Sequence, residues 1–431
     1  MSTQLERIAA KARADRKLCF TALAHHLTPE FLVETWGLMN RRGASGIDGE
    51  TAREFEQDLN HRVIELVARL KAGRYQAPPV RRVEISKPGG QGTRTLGIPT
   101  AEDRLLQRAV ARILEAIYEA DFLEVSYGYR PGRSPHHALR ALRDHIIGGR
   151  VNYVYEADIR GFFDHLNHEW LQRMLQLRIG DPVLLRLIGK WLRAGAMVNG
   201  VVVRTEEGVA QGGPISPVLA NIYLHYALDL WFERVFKRRC RGEACLVRFA
   251  DDYVACFQHR QEAEGFDVAL VERLEKFHLT LAEGKTRLIV FGRFARETTE
   301  RLGKIPGRFD FLGFTHVCGR DRKGRFAVIR IPSRKSCRRF LDRAQAWLMG
   351  HIHWKRPDQQ KHLAMMLQGL YRYFSLAHSQ AKLNWVRHEV ELQWIRTLRR
   401  QGQRRRLRWD ILCRSSWFVL PPVPRTLHPT V

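Results

Sequence analysis

The chain has 431 residues, 45% hydrophobic and 27% charged, the balance of a folded, core-forming protein, which excludes disordered and collagen-like chains. No apolar run approaches the ~20 residues of a membrane-spanning helix, and the start, MSTQLERIAAKARADRK, lacks a secretory core, so a cytoplasmic protein with no membrane association is expected. The net charge of +27 is the outlier: residues 320–431 hold 25 Lys/Arg against 6 Asp/Glu, a net of +19 that leaves +8 for the rest, and such a field favours a polyanionic partner.

Length divided by about 150 gives roughly three structural units. Residues 1–40 read as helical, with Phe20, Leu23, Leu27, Phe31, Leu32 and Trp36 at three- and four-residue spacings. A Gly-rich turn over Arg41–Thr51 leads to a helix over 52–72. VRRVEISK then reads as a strand, Gly89–Gly92 as a turn and Thr95–Ile98 as the return strand. A long amphipathic helix is predicted from about Ala101 to Tyr118. Val151–Ile159 alternates as a strand, and His168–Ala194 is helical. A hairpin, MVNGVVVRTEEG, precedes a helix over about Ser216–Val235. Leu246–Phe257 reads as two apolar strands with two acids between them, and FDFLGFTHV as one further strand. From about Pro332 the chain turns helical and basic, with Trp347, Trp354, Leu370, Tyr371, Trp385 and Trp394 between arginines, and Arg396–Trp409 concentrates the charge. This interleaving of helices and strands without a βαβ rhythm predicts an antiparallel α+β fold.

Seven cysteines (Cys19, Cys240, Cys245, Cys256, Cys318, Cys337 and Cys413) form no CxxC pair, so buried reduced thiols are expected rather than disulfides or zinc ligands.

The chemistry concentrates on acids. Asp251 and Asp252 lie together in RFADDYVACF, although two-residue hairpin turns favour Asn-Gly or Asp-Gly. Their charges repel, and a divalent cation offsets that repulsion, because carboxylate oxygens are what magnesium prefers. A solvated acidic turn is the plain alternative. Asp158 ends the alternating strand in EADIRGFFDHL. One strand-end acid beside a hairpin acid pair is what a two-metal nucleotidyl transfer site requires. Asp164, six residues on, fits an N-cap or structural acid better.

In order, GASGIDGET, ISKPGGQGTRTLGIPTAEDRLLQRAV, SYGYRPGRSPHHAL, EADIRGFFDHLNH, TEEGVAQGGPISPVLANIYL, RFADDYVACF, LAEGKTRL and FDFLGFTH resemble the reverse transcriptases encoded by bacterial group II introns and their close relatives. The resemblance covers roughly residues 35–316; the basic tail resembles the thumb and maturase end of such enzymes more loosely. It implies a multidomain right-hand polymerase. Residues 1–80 would extend the fingers, 81–148 form them, 149–316 form the palm with its antiparallel sheet and interleaved fingers helices, and 317–431 form a helical thumb. Asp158, Asp251 and Asp252 fall on the family's catalytic acids, holding two Mg2+ ions for which Mn2+ can substitute. Asp158 and Asp251 would be the principal ligands.

The resemblance assigns further roles. Lys87 and Arg94 would contact the incoming dNTP, Phe163 would lie under its sugar and exclude a 2′ hydroxyl, and Gln211 and Gly212 would line the nucleotide or template. Lys285 would protonate the leaving pyrophosphate. Phe311, Leu312 and Gly313 would form a primer-gripping strand, and Arg399, Arg400, Arg404, Arg405 and Arg406 would contact intron RNA. The implied activity is RNA-directed DNA synthesis from a DNA or RNA primer on an RNA template, with group II intron RNA as a splicing partner. Two departures stand out. Phe249 replaces the family's usual tyrosine before Ala-Asp-Asp, and the chain stops at Val431 without the Cys pairs of a nuclease domain, so a mobile form is expected to use a primer made by other means. An RNA-binding maturase, or a domesticated enzyme of phage defence, CRISPR adaptation or DNA repair, are the alternatives.

Overall fold

The computed structural model describes residues 3–86, 93–198, 201–203, 207–282, 284, 286–300, 305–321, 323–401 and 418–428. The chain divides into two compact units, residues 1–87, 92–138 and 155–288 in the first and 88–91, 139–154 and 289–431 in the second. Strands β1 (Val80–Ser86), β2 (Thr93–Ile98), β3 (Tyr153–Asp158), β4 (Ala196–Val198), β5 (Val201–Val203), β6 (Ala244–Phe249), β7 (Asp252–Phe257), β8 (Arg287–Val290), β9 (Arg308–Phe311), β10 (Phe314–Arg320) and β11 (Phe326–Pro332) alternate with helices. Among the described residues they form three sheets, ordered β2-β1-β4-β5, β6-β7-β3-β8 and β11-β10-β9. The fold is mixed helix and sheet, and no described helix is long and apolar enough to cross a membrane.

In the first unit β1 and β2 pair antiparallel, with Ser86 opposite Thr93, as the sequence predicts. The helix Ala101–Tyr118 starts where the Thr100 side chain accepts from Asp103 N. It is amphipathic as predicted, with Arg104, Arg108 and Glu115 on the one partly exposed stripe and the other faces buried, which makes it a core helix of its unit. Three predicted long helices are broken, two of them where a side chain caps the next helix. Residues 1–40 give Thr3–Ala14, a 3-10 turn at Ala24–His26, and Pro29–Gly37, which Thr28 caps with Pro29 at its first position. The 52–72 stretch breaks at Asp58 into Ala52–Gln57 and Leu59–Lys71. His168–Ala194 splits at Asp181, whose carboxylate accepts from Val183 N and Leu184 N. Asp164 caps nothing; Asn167 caps the helix His168–Gln176. The helix from Ser216 runs α-helical to Leu224 and then widens into π turns at His225–Asp229 and Phe232–Phe236.

In the second unit β9, β10 and β11 make an antiparallel meander. The segment FDFLGFTHV is therefore two strands and a turn, not one strand, and β11 was not legible. Helices Arg334–Gly350, Arg356–Phe374 and Gln380–Gln401 follow, packing Phe340, Leu348, Leu367 and Trp394 into one core with Phe418. The expectation of buried thiols holds for Cys245, Cys256 and Cys337 but not for Cys19, which is exposed.

Candidate active site

β6 and β7 are joined by two residues, Ala250 and Asp251, with Phe249 opposite Asp252. Asp252 is thus the first residue of β7, and Asp251 alone of the two acids occupies the turn. Ala250 takes φ of +57°. Two-residue hairpin loops need positive φ to follow the strand twist, although a Cβ is strained there.

The layer beneath holds this residue in place. Arg248 is wholly buried, donating to the Asp229 carboxylate through Nε at 2.7 Å and Nη2 at 2.5 Å. Its Nη1 donates to Asn221 Oδ1 at 3.0 Å and to the Ala250 carbonyl at 2.9 Å, and Nη2 also reaches Ser126 Oγ at 2.9 Å. Asn221 Nδ2 donates to the Gly128 carbonyl at 2.7 Å. A Cβ on Gly128 would stand 2.3 Å from Ala250 N, so the approach of the two loops requires glycine. Asp229 belongs to the first π turn, a deviation common at functional sites. Burial pushes the nearby His225 imidazole down to about 4 despite Asp229, so it is neutral at pH 7. None of Arg248, Asp229, Asn221 and Ser126 was singled out from sequence; an arginine inside the apolar run LVRFADD was the available signal.

Asp158 ends β3, the neighbour of β7 in its sheet. Its carbonyl accepts from Ala282 N at 2.7 Å. The buried Tyr253 links the two strands electrostatically. Burial pushes its hydroxyl well up, and the negative fields of Asp158, Asp267 and Asp252 push the same way. Among the described residues that hydroxyl has no hydrogen-bond partner. Asp158 and Asp251 are half-buried and Asp252 is exposed, so the carboxylates reach solvent. The donor set is all oxygen, which suits a hard divalent cation. Among the described residues no three His, Cys, Asp or Glu side chains converge into a finished cation cage.

Phe162 and Phe163 meet edge to face at 5.3 Å, and Phe163 is the less buried, at 7% against 2%. Phe163 and Gln211 line two cavities, one of about 330 Å³ with Arg82 and Trp191 and one of about 300 Å³ with Tyr129 and Gly212. The Gln211 carbonyl accepts from Gly97 N at 2.8 Å, and a Cβ on Gly212 (φ +122°) would lie 2.8 Å from Gly97 O. Gly212 is therefore required for its approach to β2, whatever it does for a ligand. Behind the larger cavity Asp103 accepts from Tyr75 Oη, from Trp191 Nε1 at 3.1 Å and from Gln107 Nε2 at 3.2 Å. Burial nevertheless pushes its carboxyl up to about 6.

Arg94 lies on β2 with its backbone opposite Ile85. Lys87, Lys285, Arg404, Arg405 and Arg406 lie outside the described residues. In the second unit Phe311 ends β9, and Leu312 (φ +49°) and Gly313 (φ +80°) make the turn into β10. Arg399 and Arg400 are exposed at the end of Gln380–Gln401, with Arg400 Nη1 3.2 Å from Met349 Sδ.

A profile of the family described as reverse transcriptase (RNA-dependent DNA polymerase) matches residues 85–316, which hold all three acids. The group II intron-encoded protein LtrA of Lactococcus lactis subsp. cremoris is 40% identical over 225 residues, 51% of this chain but 37% of that protein. Protein YkfC of Escherichia coli (strain K12) is 31% identical over 372 residues, 79% of this chain and 94% of its own length. Nuclear intron maturase 1, mitochondrial, of Arabidopsis thaliana is 32% identical over 95 residues, covering 22% of this chain and 13% of that protein. This chain thus spans little more than a third of LtrA, while it matches nearly all of YkfC. With more than half its length matched, the chain belongs to the reverse transcriptase (RNA-dependent DNA polymerase) family and resembles its group II intron-encoded and maturase members.

Proposed function

We propose that this chain is an RNA-directed DNA polymerase, extending a DNA or RNA primer on an RNA template and assisting the splicing of a group II intron RNA. The observation that carries the reading is the placement of Asp158 and the Asp251–Asp252 hairpin on neighbouring strands, inside the span that matches the family. Asp158 and Asp251 hold the divalent ions, Mg2+ by preference, with Asp252 in support. When bound, the two ions lower the barrier to attack by the primer 3′ oxygen and neutralise the leaving pyrophosphate.

The rest of the chemistry falls to side chains. Lys87 and Arg94 bind the dNTP triphosphate as point charge and planar fork. Phe163 closes the sugar side, Gln211 and Gly212 border the nucleotide, and Lys285 donates a proton to the leaving group. Residues 1–80 and 81–148 serve as fingers, 149–316 as palm and 317–431 as thumb. At the end of the palm span Phe311–Gly313 bear on the primer, and within the thumb Arg399, Arg400 and Arg404–Arg406 bear on intron RNA. The protein acts in the cytoplasm.

Asp251→Asn should lower primer extension on an RNA template by about 10³-fold or more, because the rate rests on charge at the reacting phosphate, with RNA affinity nearly unchanged. Extension at the parental rate would sink the assignment. A maturase reading draws on the similarity to the Arabidopsis protein. Splicing that survives Asp251→Asn but fails on charge reversal at Arg404–Arg406 would show the two roles to be separable.

A further inference from the structure

The second unit contains a cavity of about 910 Å³ whose lining includes none of the individual residues given a role above. Five stretches of the described residues build it: Arg143 and Ile147 of the helix Pro135–Gly148, the turn after β8 running into the helix Ala295–Glu300, Pro306, the β10–β11 hairpin, and Ala377–His378. Among the described residues its lining cations are all arginine, Arg143, Arg293, Arg296, Arg320, Arg325 and Arg330, against one lining acid, Asp321.

The arginines differ in how they are compensated. Arg143, Arg296 and Arg325 have carboxylate partners in Asp144, Glu300 and Asp321 at 3.3, 2.9 and 2.8 Å. Arg293 and Arg320 instead donate to carbonyls, those of Ile147 at 2.8 Å and Gly324 at 3.4 Å. A carbonyl satisfies an N–H but leaves the net charge in place. Arg330 is buried in the wall, where burial and the neighbouring Arg143 charge lower its guanidinium to about 10. The cavity is therefore a standing excess of positive charge.

The ligand chemistry follows from the residue type. Guanidinium forks match phosphate oxygens two at a time, whereas a lysine ammonium acts as a point charge. Phe326 and His378 add flat faces to the lining. Burial and Arg330 push the His378 imidazole down, so it offers a neutral ring and no seventh charge. Cationic grooves with interspersed rings are how single strands are held without sequence preference.

We infer that this cavity is a second nucleic-acid site, gripping the phosphodiester backbone of a single strand through Arg293, Arg320 and Arg330, with a base against Phe326 or His378. The inference does not depend on the hairpin acids.

The test uses the full chain and a labelled 20-nucleotide single-stranded RNA, with binding followed by fluorescence anisotropy across salt concentrations. Arg293 and Arg320 are exposed, so Arg293→Gln/Arg320→Gln should fold normally. Two lost phosphate contacts should flatten the slope of log affinity on log salt by about 1.4 and weaken binding about tenfold at 0.1 M salt. Phe326→Ala should weaken binding with the slope unchanged. Extension of a saturating, pre-annealed template–primer should be unaffected by either change. An unaltered slope in the double variant would overturn the proposal. So would displacement of the RNA by inorganic tripolyphosphate or poly-glutamate at equal charge concentration, which would mark a small-anion or acidic-protein site. Lost extension on the pre-annealed duplex would likewise end the idea of a separate site.

Discussion

The two units each contain a two-residue hairpin with positive φ outside glycine, and the supports of the two turns differ in kind. Ala250–Asp251 rests on a buried ion pair: Arg248 and Asp229 are both fully buried, and the guanidinium reaches three further partners. Leu312–Gly313 rests on neutral groups. Tyr373 Oη donates to the Leu312 carbonyl at 2.9 Å, and Ser336 Oγ and Ser333 N donate to the Gly313 carbonyl at 3.1 and 2.9 Å. Similar backbones can thus be held by a charged scaffold, which is rigid but intolerant of losing one member, or by a neutral one that gives way gradually.

The comparison breaks most sharply at Arg248. Arg248→Met leaves the Asp229 carboxylate buried without its partner and should cost about 3–5 kcal/mol in chemical denaturation. Arg248→Met/Asp229→Leu should recover much of that, since the cost lies in the orphaned charge. A loss below about 1 kcal/mol would remove the distinction between the two turns.

Charge in the first unit also sets a pH signature. The Asp103 carboxyl is raised to about 6, so the folded chain holds that proton more tightly than the unfolded chain. Its contribution is complete below about pH 4 and is lost as pH rises through about 6. Against Asp103→Asn, the wild type should therefore lose about 2–3 kcal/mol of relative stability between pH 4 and 7, at about 1.4 kcal/mol per pKa unit. Parallel stability profiles of the two proteins would contradict this. At the neutral turn, Tyr373→Phe or Ser336→Ala should each cost about 1 kcal/mol, with no change in pH dependence. The smallest effect belongs to Ala250→Gly, within about 1 kcal/mol of the parent because strain relief opposes lost chain entropy, whereas Ala250→Val should cost more.

Much of the site was legible because it is local in sequence. Asp158 ending an alternating strand, and Asp251 beside Asp252 between apolar runs, could be read without any tertiary contact. The long-range supports could not. Arg248 meets partners 19, 27 and 122 residues away, and no periodicity points to them. The resemblance put Gly212 beside a nucleotide or template, but its close approach to the Gly97 carbonyl was not legible. The helices Pro135–Gly148 and Arg260–Glu275 were not read at all, and helix ends were read poorly: Asp58 looks like an ordinary polar-face residue until it breaks a helix, while the Gly180-Asp181-Pro182 start signal was present and passed over. β11 was missed although Asp321 and Gly324 mark a turn before it, because FAVIRIP runs directly into a basic helix.

Because Arg248 joins residues 126, 221, 229 and 250, the acidic turn cannot fray by itself. Surface hairpins ordinarily open locally at little cost, exchanging their amide hydrogens long before the core does. Here opening would strand a buried charge pair, so β6 and β7 are tied to the cooperative unfolding of their whole unit. The carboxylates then keep their aim for as long as that unit stays folded, and heat should remove them in one step with it.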